Sequence, residues 1–140
     1  MNIKVNIKQI GSRKKGLAAM DFPLENRPET VGELIKECVH TCVEEYNERV
    51  RRGENITAPL DDNAIQEKSI VGKIAFGINY GGRTADPDKA VKTALQAYED
   101  GLFRIFINDK DVGDISDKIE LNENDSVTFL RLVMLAGGIF

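Results

Sequence analysis

The sequence predicts an α+β domain, and three observations carry that expectation. Apolar residues alternate with polar ones near the start of the chain, and a run of strong β propensity lies near its end, as strands of a half-buried sheet require. Two stretches between them place apolar residues three and four apart, the spacing of helices packed on one face. A chain of 140 residues with 41% hydrophobic residues can build one real core but is cramped for two. One domain over residues 1–140 is therefore expected.

The elements follow in order. Ile3, Val5 and Ile7 alternate with Lys4, Asn6 and Lys8, the period-2 signature of a strand with one buried face. Gly11-Ser12-Arg13-Lys14-Lys15-Gly16 is turn chemistry, after which Met20, Phe22 and Leu24 alternate with Asp21 and Pro23, so the opening reads as a β-hairpin. Beyond Arg27-Pro28, Thr30-Val31-Gly32-Glu33 forms a capping box: the Thr30 hydroxyl can accept from the Glu33 amide while Glu33 reaches back. The helix it starts carries Val31, Leu34, Ile35, Cys38, Cys42 and Tyr46 on one side and Glu37, Glu44, Glu45 and Glu48 on the other. Arg51-Arg52-Gly53 ends it.

From Glu54 the pattern loosens. Asp61-Asp62 can cap a short helix through Ile65 and Ile70, and Gly72 to Gly82 reads as irregular. Asp86-Pro87 is a good N-cap and first-turn pair for a second long helix, with Ala90, Val91, Ala94, Leu95 and Tyr98 as its apolar stripe and Gly101 as its stop. Leu102 to Ile107 reads as a strand, and Asn108-Asp109-Lys110-Asp111 as a turn. Ile119 and Leu121 precede a second polar turn, Asn122 to Asp125, and Val127 to Val133 forms the last strand. The expected order is β-β-α, a helical insert, then β-β-β, with the fourth strand falling on Ile119 and Leu121.

Charge and composition narrow the function classes. Lys4, Lys8, Arg13, Lys14 and Lys15 precede the first acid, whereas Asp109 to Asp125 holds seven acids against Lys110 and Lys118, and the formal net charge is −4. A general nucleic-acid surface needs a continuous basic face, so no nucleic-acid partner is expected; the basic turn is a solvated loop or a local docking patch. No run approaches the about 18–20 apolar residues of a membrane span, and Met1-Asn2-Ile3-Lys4 opens without the pattern of a secretory leader. With Cys38 and Cys42 as the only cysteines, spaced for a helix rather than a disulfide framework, the expected setting is cytoplasmic, with no membrane partner.

Three motifs invite chemistry and do not sustain it. Cys38-Val39-His40-Thr41-Cys42 contains zinc-type ligands, but the cysteines share a helix face with Leu34 and Ile35 while His40 projects elsewhere, so both thiols read as small buried hydrophobes. Asp109-Lys110-Asp111-Val112-Gly113-Asp114 with Glu120 has carboxylates at the first, third and twelfth positions of a calcium loop, yet glycine falls where the fifth ligand belongs. Gly81-Gly82-Arg83-Thr84 lacks the spacing and the lysine of a phosphate loop. One histidine and no convergent nucleophile–base set give no support to an enzyme, and no metal or cofactor of the chain's own is expected.

The end of the sequence is more specific. Ile119-Glu120-Leu121-Asn122-Glu123-Asn124-Asp125-Ser126-Val127-Thr128-Phe129, running on to Ala136-Gly137-Gly138, resembles the last hairpin and tail of the sulfur carriers, and the order of elements resembles the ubiquitin-like β-grasp family as a whole. The resemblance covers about two-thirds of the chain; residues 54–101 depart from it as a helical insertion between the first helix and the third strand. It implies a β-grasp fold with a C-terminal tail at 134–140. It further implies a protein modifier or carrier activated at the carboxylate of Gly138, with Gly137 supplying slimness, Leu135 and Ala136 as linker, and Ile139-Phe140 as an extension removed by a processing peptidase. The partners implied are an activating enzyme that uses ATP, a conjugating enzyme and unidentified protein targets, as in bacterial operons that pair a ubiquitin-like protein with such enzymes. Glycines suit such a tail because a residue without Cβ can thread a narrow channel and adopt backbone angles barred to others. The alternative is a non-covalent interaction module in which the glycines turn the chain and Ile139 and Phe140 are retained, folding back over Met134 and Leu135.

Overall fold

The computed structural model describes residues 1–10, 17–53, 71–72, 75–78, 80 and 83–132. Among these, β1 (Asn2–Ile10), β2 (Leu17–Pro23), α1 (Val31–Arg51), α2 (Pro87–Glu99), β3 (Phe103–Ile107), β4 (Lys110–Asp111) and β5 (Ser126–Leu132) form an α+β architecture. The sheet is mixed, in the order β2-β1-β5-β3-β4. β1 lies antiparallel to β2 and parallel to β5, with Val5 opposite Val127 and Ile7 opposite Phe129; β3 lies antiparallel to β5, with Ile105 opposite Phe129.

That register puts Ile3, Val5, Ile7, Val127, Phe129, Phe103 and Ile105 on one face, all at most 1% exposed. Against it pack Val31, Leu34, Ile35, Cys38, Val39, Cys42 and Val43 of α1, each fully buried. Phe76 sits edge-on to Phe103 and Phe129, at centroid distances of 5.4 and 5.0 Å, so the 75–78 segment contributes an aromatic anchor to the same core. α2 packs on α1 and β3, presenting Ala90, Ala94, Ala97 and Tyr98 as its buried residues.

Both helix starts form as the sequence predicts. Thr30 Oγ1 accepts from the Glu33 N–H at 3.2 Å, and its hydroxyl in turn donates to the Glu33 carboxylate, so the return contact runs to the side chain rather than to the Thr30 amide. Two further N–H groups at this end, of Val31 and Gly32, donate to the carbonyls of Asp117 and Ile115 at 3.0 and 2.9 Å. The approach is close enough that a Cβ on Gly32 would lie 2.9 Å from Ile115 Cγ2. At α2, Asp86 accepts from the Asp88 N–H and Pro87 occupies the first turn.

One strand departs from expectation. The fourth strand is Lys110–Asp111, inside what reads as a turn, whereas Ile119 and Leu121 lie outside the sheet. Asn108 (φ 48°) and Asp109 (φ 69°) are both left-handed, making a two-residue hairpin turn that returns the chain immediately, with Ile107 opposite Lys110. The 118–121 segment instead seals the start of α1: Lys118 bridges Thr30, Ile119 N–H donates to Glu29 O at 3.0 Å, and Leu121 is buried. The short helix expected from Asp61-Asp62 through Ile65 and Ile70 lies outside the described residues, as does the turn at 11–16. Gly72, Ala75 and Phe76 have helical backbone within the Gly72 to Gly82 stretch expected to be irregular.

Candidate functional site

The second face of the sheet carries neither helix. Because side chains alternate along a strand, the register that buries the core residues sends Lys4, Asn6 and Lys8 of β1, Ser126, Thr128 and Leu130 of β5, and Arg104 and Phe106 of β3 to this side. They form rows across the sheet. Asp21, Lys4 and Ser126 make one; Asn6, Thr128, Phe106 and Asp111 the next; Lys8, Leu130 and Arg104 the third.

Each row has its own chemistry. Lys4 pairs with Asp21, and Asn6 Nδ2 donates to Ser126 Oγ at 3.0 Å. Thr128, between Asn6 and Phe106, is only 9% exposed although it lies on the face away from α1 and α2. Phe106 and Leu130 are half-buried, and in the register Leu130 stands between Lys8 and Arg104. Arg104 pairs with Asp111. Partial desolvation pushes the Asp111 carboxyl up, but the Arg104 hydrogen bond, the Gly113 N–H and the Arg104 charge together outweigh it and hold the carboxyl below its ordinary value. The result is a small half-buried apolar strip, Leu130 and Phe106, bordered by Lys8 and by the Arg104–Asp111 pair.

β5 is the central strand of this face, and its last described residue, Leu132, stands opposite Ile10. The predicted site residues Leu135, Ala136, Gly137, Gly138, Ile139 and Phe140 follow it and lie outside the described residues. What the structure places at their root is Arg131. It points to the core side, where its guanidinium donates to Ala75 O at 3.3 Å, and with Phe76, Gly77, Lys92, Gln96 and Leu102 it lines a cleft of about 570 Å³. Part of region 54–101 is thereby tied to the strand that leads into the tail.

Cys38 and Cys42 are fully buried, as expected of packing residues, and burial foremost, helped by the Glu37 charge, pushes the Cys38 thiol well above its ordinary range. His40 is half-buried rather than on the open surface. With Glu37, Thr41, Glu44, Glu45 and Glu48 it lines a groove of about 520 Å³ between α1 and the end of β2. No group of three or more His, Cys, Asp and Glu residues able to hold a metal occurs among the described residues.

The calcium-like loop has another use. The Asp111 carboxylate serves Arg104 and the Gly113 N–H, Asp117 accepts from the Asp114 N–H at 2.8 Å, and Asp125 accepts from the Asn122 N–H at 2.8 Å. These carboxylates tie down their own turns. No family model, curated protein or solved structure matches the chain. No helix among the described residues is long and apolar enough to cross a membrane.

Two features escape the sequence reading. The Leu130–Phe106 strip is encoded in the off-phase positions of two strands, a signal visible only once their register is known. Arg131 lies in phase with Val127 and Phe129, where an apolar residue is the default, and that mismatch is the one sequence signal that marks it.

Proposed function

We propose that the protein is a ubiquitin-like β-grasp modifier or carrier of the cytoplasm, enlarged by a helical insertion at 54–101. In this reading it is a partner in chemistry performed by others, not an enzyme, and needs no cofactor of its own. The observation that supports the reading is the sheet: a parallel β1–β5 pair at its centre, α1 across one face, the other face carrying neither α1 nor α2, and the central strand preceding Gly137-Gly138 in the sequence. In this reading the strand that carries the docking surface is followed in the sequence by the reactive end. A partner enzyme that grips Leu130 and Phe106 holds the tail root at a fixed distance, which turns a bimolecular encounter into a positioned one.

The proposed course begins with a processing peptidase that cuts after Gly138 and removes Ile139 and Phe140. An activating enzyme then joins the Gly138 carboxylate to the phosphate of AMP, releasing pyrophosphate from ATP. A cysteine thiolate displaces AMP to form a thioester, and a target amine displaces the thiol; in the carrier variant, hydrosulfide displaces AMP instead and leaves a thiocarboxylate, with no change of oxidation state. Gly137 and Gly138 serve by lacking side chains, and Leu135 and Ala136 serve as linker.

Intact-mass and C-terminal peptide mass spectrometry on N-terminally tagged protein from its native host tests this. Loss of Ile139-Phe140 together with an isopeptide or thiocarboxylate at Gly138 is the expected result, and Gly138→Ala should abolish the adduct. A uniformly retained Phe140 without adducts, when any partner enzymes are expressed, replaces this reading with the non-covalent module, for which the open sheet face alone is the binding surface.

A further inference from the structure

We draw no further inference here: the strongest candidate, the glutamate-lined groove between α1 and the end of β2 that His40 borders, carries nothing because it is an acidic cluster and nothing in the structure shows what would occupy it.

Discussion

The two long helices solve the same problem with different residues. α1 runs for 21 residues and buries Val31, Leu34, Ile35, Val39, Val43 and Tyr46 along with its two cysteines; α2 runs for 13 and buries three alanines and Tyr98. A helix with large buried side chains draws its stability from apolar area removed from water, at about 25 cal/mol per Å². An alanine-faced helix removes less area and depends on close approach and on polar fastenings at its ends. Here the fastenings are visible. Asn47 of α1, 7% exposed, donates to Ala85 O at 2.9 Å and accepts from the Ala85 N–H at 2.7 Å just before α2, while Tyr98 donates to Gly113 O near its end. α1 is thus a core element and α2 a clipped-on layer, and substitutions should sort accordingly.

The largest effect should come from emptying a position on α1. Leu34 is fully buried, so Leu34→Ala removes transfer energy and leaves a cavity, with an expected loss of about 2–5 kcal/mol. Urea denaturation should show a lower midpoint at unchanged slope. A loss below about 1 kcal/mol would mean that α1 is not the core helix described here.

On α2 the opposite change is the informative one. Ala94 has no exposed surface, so Ala94→Leu must force the helix away from its neighbours, at about 1–3 kcal/mol. Hydrogen exchange should quicken across 87–99 while β1 and β5 keep their protection. If protection falls equally in the central strands, α2 belongs to the core as fully as α1 does.

Cutting the clip tests the same distinction with less volume change. Asn47→Ala leaves the Ala85 N–H and C=O without their partner near the α1–α2 junction, at about 1–2 kcal/mol, with exchange quickening first around Ala85 and the start of α2. Uniform loss of protection would show that Asn47 supports the whole fold rather than the attachment of one layer.

The same contrast explains how much could be read in advance. α1 and α2 were legible because helical spacing and side-chain capping are local: Thr30 with Glu33, and Asp86 with Pro87, lie within one turn of each other. β4 was not, because a two-residue strand has no period and its formation rests on left-handed backbone at Asn108 and Asp109, which turn residues permit without dictating. Ile119 and Leu121 carry strand-like alternation yet spend it on closing α1, a tertiary choice that alternation does not encode. Of the candidate site, the Gly137-Gly138 motif was readable as residue types alone, while the open face required the pairing of Leu130 with Lys8 and Arg104.

The smallest predicted effect concerns the open face and has the clearest sign. Arg104 and Asp111 form an ion pair whose side chains are 49% and 36% exposed, so solvent screening limits its worth to a few tenths of a kcal/mol. The Asp111 carboxyl is held below its unfolded value, so its contribution is complete above about pH 4 and disappears as the pH falls through the lower folded value. Asp111→Asn should therefore cost little at neutral pH and flatten the acid limb of the stability profile below about pH 4, measured by denaturant midpoints at successive pH values. Because the pair closes the β3–β4 edge without filling the core, exchange protection at Phe129 should not change. A steeper acid limb in the variant would reverse the sign and place the acid sensitivity in carboxylates other than Asp111.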